Sequence, residues 1–193
     1  MRGGAVAHAR LAGMAFPSNL DIEAIVLPII TRYGLDLEGI KVSRAGKKSV
    51  VAIAVDGDQR VDSDRIEILS GEISQAFDKA EENGAINFGP GYTLEVGTPG
   101  VDQPLTKPRH WRRNRGRKII LSSGVGRIGA LDDTEERVII IRRVAKKLVV
   151  DPVELVSELG AVVDIEFAKP AADELELAAM SFDEAISWRE ENK

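Results

Sequence analysis

The sequence predicts an α+β protein of two domains, an N-terminal α-β-β-α-β domain and a small C-terminal β-barrel. Two amphipathic helical stripes and three strand-like runs precede Gly97. Three X-Pro bonds follow, at Pro99, Pro104 and Pro108, and each holds its neighbour extended. Beyond them lie short β-rich runs separated by turn residues, with no long helical stripe.

The first stripe carries Ile22, Ile25, Val26, Ile29, Ile30 and Tyr33, the i, i+3, i+4, i+7 spacing of a helix packed on one side. Ser18, Asn19 and Asp21 offer N-caps and Gly34 a stop, while Pro28 inside the stripe predicts a kink or an irregular first part. Leu37 to Ser43 alternates as a strand, and residues 44–48 read as a hairpin loop. Val50 to Val55 is almost continuously apolar, as in a central strand. Asp62, Ser63 or Asp64 caps a second helix, with Ile66, Leu69, Ile73, Phe77 and Ala80 on one face and Asn83-Gly84 as its stop. Tyr92 to Val96 is the third strand. The second half offers strands at Lys118–Leu121, Val125–Leu131, Val138–Arg143, Lys147–Val150 and Val162–Phe167, with a polar hairpin tip at 132–136. About 60 residues of such strands suit a small barrel. The expected division is a disordered leader at 1–17, the first domain at 18–97, a stiff Pro-rich linker at 98–108, the barrel at 109–168 and an acidic tail at 169–193. The tail is expected to form a fraying helix or stay disordered, foremost as a solvated appendage, otherwise as a mask folded over the basic arm or a handle for a basic protein.

Composition excludes several chemistries. The chain has no cysteine, hence no disulfide, thiolate metal site or thiol nucleophile, which fits a reducing cytoplasm. No apolar run approaches the roughly 18 residues of a membrane helix. The two histidines, His8 in the leader and His110 in a basic run, suit neither a metal site nor a hydrolytic triad. Gly124-Val125-Gly126-Arg127-Ile128-Gly129 spells G-x-G-x-x-G, but a charged tip and another strand follow it instead of the helix that a dinucleotide site needs. No catalytic residue, cofactor or metal is expected.

Charge is segregated. The net charge is -5, and residues 173–193 alone hold seven acids and two bases, so the preceding chain is formally neutral. Within that body the twelve residues Lys107 to Lys118 carry seven cations: Lys107, Arg109, Arg112, Arg113, Arg115, Arg117 and Lys118. A concentrated basic arm attracts a phosphate backbone, and Trp111 adds a surface on which an unpaired base could stack. Seven phosphate contacts would give a log–log salt slope of about -5 to -6. Arg142, Arg143, Lys146 and Lys147 would extend the patch.

The stretch Tyr92–Leu105, YTLEVGTPGVDQPL, resembles the bacterial ribosome maturation factor RimP family, whose pattern here is close to LEVSSPGxDRPL. Leu94, Glu95, Val96, Pro99, Gly100, Asp102, Pro104 and Leu105 match it, and Gly116 fills a following glycine position. Gly97-Thr98 replaces the usual Ser-Ser, and Gln103 replaces an arginine, removing a cation beside Asp102. The resemblance spans roughly Asn19 to Phe167. It implies that the barrel is Sm-like and that the protein is a non-enzymatic, cytoplasmic assembly factor for the small (30S) ribosomal subunit. The implied partners are the free subunit, 16S rRNA and ribosomal protein S12. Within that picture the chain is expected to be a monomer, with the arm on RNA and the Pro-Gly motif setting the domain angle. Acidic groups of the first domain (Glu38, Asp56, Asp58, Asp62, Asp64) or of the tail would meet the basic ribosomal protein. The competing expectation is a stand-alone Sm-like RNA chaperone, which would form rings.

Overall fold

The computed structural model describes residues 16–45 and 48–192. The expected leader up to residue 15, His8 within it, and the centre of the hairpin loop, Gly46-Lys47, lie outside the described residues. The fold is α+β, with two sheets and five α-helices among the described residues, and the chain separates into two compact units that meet in sequence at Pro99–Gly100.

The first unit runs α1 (Asn19–Arg32), β1 (Asp36–Ala45), β2 (Lys48–Asp56), α2 (Ser63–Glu82) and β3 (Tyr92–Gly97). Ser18 caps α1 in a capping box: its Oγ accepts from Asp21 N–H, and Asp21 Oδ2 accepts from Ser18 N–H. The helix runs through Pro28. Pro28 and Ala24, whose carbonyl loses its helical donor there, both lie on the exposed side, where water replaces the missing bond. Asp62 caps α2 by accepting from Arg65 N–H, and Gly34 and Gly84 turn the chain at φ +65° and +69° after the two helices.

The sheet order is β1-β2-β3. β1 and β2 form an antiparallel hairpin, whereas β3 joins β2 in parallel, so β2-α2-β3 is a βαβ crossover. Val51, Ile53 and Val55 project from one face of β2 onto Ile22, Val26 and Ile30 of α1 and Leu69, Ile73 and Phe77 of α2. Phe88 closes this core between Phe77 and Tyr92, with ring centroids 5.1 and 4.2 Å away.

The second unit contains α3 (Pro108–Arg113), β4 (Lys118–Leu121), β5 (Gly124–Leu131), β6 (Arg137–Val144), β7 (Lys147–Glu154), β8 (Val162–Val163), α4 (Ala172–Ala179) and α5 (Phe182–Glu191). Its five strands are antiparallel in the order β7-β6-β5-β4-β8. The expected barrel is not closed: β7 and β8 are the two edges, and no ladder joins them among the described residues. Within the expected linker, 98–108, Leu105 is buried in this unit and donates its N–H to Ala161 O at 2.8 Å, and Pro108 begins α3.

The tail departs further from expectation. Residues 172–191 form α4 and α5, whose Leu177, Ala178, Phe182 and Ala185 bury against Ile139, Ile141 and Val150 of the sheet. The opposite face packs Trp111, Leu105, Ile119, Ile128, Val138 and Ile140. A sheet covered on both sides explains why Val138 to Ile141 is apolar without alternation. Ser181 caps α5 with Glu184 in a second capping box, and the Arg137 guanidinium lies 5.0 Å from the Phe182 ring centroid. The tail is therefore a docked part of the unit, because its apolar residues supply the cover that the second face of the sheet needs.

Candidate nucleic-acid interface

The basic arm folds as a one-and-a-half-turn helix followed by a tight turn. His110 fixes the start of α3: its Nδ1 accepts the N–H groups of Thr106 and Lys107, the two residues that lead into the helix, at 3.1 and 3.3 Å. Gly116, at φ +81°, closes the turn, donating its N–H to Ile128 O at 2.7 Å.

This geometry redistributes the expected RNA contacts. Trp111 is only 1% exposed and packs in the core on Ile119 and Ile140, so its ring offers no stacking surface. Arg115 reaches the C-terminal end of α4, donating Nε to Ala178 O and Nη2 to Met180 O, both at 2.6 Å. A cation on the last carbonyls of a helix is favourable for the helix dipole. Arg112 pairs with Glu135 at 2.7 Å, Lys118 with Asp164 at 2.7 Å, and Arg117 donates to Asn114 Oδ1 at 3.0 Å. Lys107, Arg109 and Arg113 also take part in interactions within the protein. The arm is thus braced. Glu135 and Asp164 offset the charges of Arg112 and Lys118, whereas Arg115 and Arg117 are held by uncharged oxygens and keep theirs. The Asp164 carboxylate, through its hydrogen bond and charge, raises the Lys118 pKa.

The cation at the centre of the unit lies outside the basic arm, in β5. Arg127 is 3% exposed and donates Nη1 and Nη2 to the two oxygens of Glu166, Nε to Glu174 of α4, and Nη1 again to Gly116 O. It ties the end of the basic arm, the segment after β8 and α4 to one point. Arg143 forks onto Asp173 at 2.7 and 2.8 Å, and Arg142 reaches Asp151 and Ser123. Glu158, almost fully buried, accepts from Ser122 N–H and from the hydroxyls of Ser122 and Ser123, pinning the β4–β5 turn. Burial pushes its carboxyl up, but these hydrogen bonds and the Arg142 charge outweigh that and hold it below the ordinary value.

Gly124, Gly126 and Gly129 lie in the β4–β5 hairpin and in β5 itself, with no helix after them. A Cβ on Gly126 would stand 2.5 Å from Ile140 Cγ2, and one on Gly129 would stand 2.8 Å from Ile139 Cβ. Two of these glycines therefore serve close strand packing, and the hairpin lacks the phosphate-binding turn of a dinucleotide fold. Among the described residues no acidic or histidine cluster is placed to hold a metal, and no helix is long and apolar enough to cross a membrane.

The signature residues divide between the units. Leu94 packs against the first core, and Glu95 is exposed on β3. Gly100 begins a turn closed by Gln103 N–H on Gly100 O at 3.2 Å. Asp102 folds back over it, so that a Cβ on Gly100 would stand 2.5 Å from Asp102 Oδ1. Pro99 is half-buried, Pro104 is exposed, and Leu105 enters the second core.

An α-β-β-α-β unit, a Pro-Gly signature, a cationic helix-turn and an antiparallel sheet in this order define a class of two-unit α+β protein. The profile of the RimP N-terminal domain matches residues 25–102. A Corynebacterium diphtheriae protein named ribosome maturation factor RimP is 52% identical over 184 residues, covering 93% of this chain and 100% of that one. Proteins of the same name from Corynebacterium aurimucosum and Corynebacterium kroppenstedtii are 50% and 40% identical, over 88% and 89% of this chain and 94% and 99% of theirs. The chain belongs to the RimP family.

Proposed function

We propose that this protein is a maturation factor of the small ribosomal subunit, a cytoplasmic monomer that binds free 30S particles through 16S rRNA and ribosomal protein S12. The observation that carries the maturation role is the end-to-end identity with a relative named for it, which extends through both units. The second unit is read as Sm-like because β4 to β7 are linked by consecutive hairpins and β8 returns to pair with β4. Its basic arm is the proposed RNA contact, with Arg115 and Arg117 supplying undiminished charge.

The acidic contact to a basic ribosomal protein is better assigned to the cleft beside Trp111 than to the tail or to Asp62. Asp173 and Glu174 are engaged by Arg143 and Arg127, and Asp62 is occupied by its helix cap. By contrast, Glu136 and Glu154 line a cleft of about 470 Å³ beside Trp111, where Glu135 is paired with Arg112, and Val156 and Leu159 are exposed next to it. Sedimentation of the tagged protein on sucrose gradients tests the proposal. Comigration with free 30S particles is expected, whereas migration only at the top or with 70S particles overturns it. With about four phosphate contacts on single-stranded RNA the log–log salt slope is about -3, shallower than seven contacts would give.

A further inference from the structure

Phe167 is 97% exposed. The other aromatic rings among the described residues are buried or half-buried. Its orientation follows from the strand-like alternation after β8. Glu166 turns inward onto Arg127, so Ile165 and Phe167 on either side turn outward. The segment 165–171 forms one wall of a cleft of about 520 Å³, opposite Val125, Arg142 and Arg143. Five cations (Lys118, Arg127, Arg142, Arg143 and Lys169) and two carboxylates (Glu166 and Glu174) border this cleft, and Lys118, Arg142 and Arg143 also pair with Asp164, Asp151 and Asp173. Lys169 is exposed and has no carboxylate partner among the described residues, and the Arg143–Asp173 pair is open enough to solvent for a phosphate to compete for the guanidinium.

We propose that this cleft is a stacking site for an unpaired RNA base, with Phe167 as the platform and Lys169 and Arg143 as contacts for the adjoining phosphates. The inference rests on the RNA-binding reading above and names the ring through which it works, in place of the buried Trp111. A base offers a flat π-face of the size the ring presents, and its backbone offers the negative charge that the cations attract.

The test uses the full-length protein and its Phe167→Ala and Phe167→Trp variants. Each is titrated with a single-stranded oligoribonucleotide, with a blunt duplex of the same sequence, and with free small subunits. Because the ring makes little contact with the protein, both variants should melt at the wild-type temperature. Phe167→Ala should bind the single strand and the subunit about fivefold or more weaker, the loss expected for one base–aromatic stack. Phe167→Trp should show fluorescence quenching with the single strand and little with the duplex, after subtraction of the wild-type signal from Trp111 and Trp188. Wild-type affinity of Phe167→Ala for a subunit that the wild type binds overturns the stacking site alone. Failure of the wild type to bind either RNA or subunits overturns the RNA reading beneath it. Retained oligonucleotide affinity with lost affinity for a purified basic ribosomal protein would make Phe167 a protein anchor and overturn the proposal.

Discussion

Arg127 and Glu166 face each other through two parallel hydrogen bonds, Nη1 to Oε2 at 2.8 Å and Nη2 to Oε1 at 2.7 Å. The fork is the planar match that arginine makes with a carboxylate. Glu174 completes the guanidinium shell from α4, so one buried cation joins three segments of the second unit.

Removing one side of this cluster leaves charge without its partner. Arg127→Met would strand two carboxylates, each about one-fifth exposed. Loss of a buried partner costs about 3–5 kcal/mol, and the solvent access of the two glutamates places this case near the lower end. Glu166→Ala should cost less, about 1–2 kcal/mol, because Glu174 still compensates Arg127. Urea denaturation followed by circular dichroism measures both, and equal midpoints for the two variants would show that Glu174 does not share the load.

The same pairs set an acid limit. The Arg127 hydrogen bond holds the Glu166 carboxyl below its usual 4.5 despite burial, and the Arg143 hydrogen bond holds Asp173 below 3.8. A depressed folded pKa means that the stabilisation is present above the unfolded value and is lost as pH falls through the folded one. Stability should therefore stay level from about pH 8 to pH 6 as far as these groups are concerned, and decline below about pH 4.5. Glu166→Gln should flatten that decline. An unchanged acid limb in the variant would assign it to other carboxylates.

Trp111 separates packing from binding. Trp111→Ala should destabilise the second unit by about 3–5 kcal/mol, as expected for truncating a buried aromatic side chain. Below its lowered melting temperature the variant should bind RNA as the wild type does. Weaker binding at unchanged melting temperature would mean that the ring reaches RNA.

The parts of the fold that are legible in the sequence are those carried by local chemistry. Ser18 and Asp62 mark the helix starts, Gly34 and Gly84 the ends, and the apolar stripes choose the faces between them. The parallel pairing of β3 with β2 is not local, since the same element order also allows an antiparallel strand, and α2 decides it by carrying the chain back along the sheet. Trp111 sits in a six-residue helix, too short to display a stripe, so its cationic neighbours dominate the pattern. Arg127 is hidden for another reason: its carboxylates come from 39 and 47 residues away. The docked tail did carry a signal. Ser181-x-x-Glu184 before Ala185 and Ile186 has the form of a capping box, and the four consecutive apolar residues Val138 to Ile141 require cover on both faces of β6.

That cover gives the last prediction. Ending the chain after Pro170 removes α4 and α5 and uncovers Ile139, Ile141 and Val150. Burial of Leu177 and Phe182 contributes about 1.5–3 kcal/mol each, so the truncated protein should lose roughly 3–6 kcal/mol and bind a dye specific for exposed apolar surface. The milder Phe182→Ala should cost about 3 kcal/mol with the helices still present. Arg115, deprived of its two carbonyl partners, would gain freedom and its charge would become more available, so any surviving folded fraction should bind RNA at least as tightly as the intact chain. A solvated appendage would behave otherwise, since its removal would leave melting temperature and dye binding unchanged. Calorimetry of the intact and truncated proteins distinguishes the two.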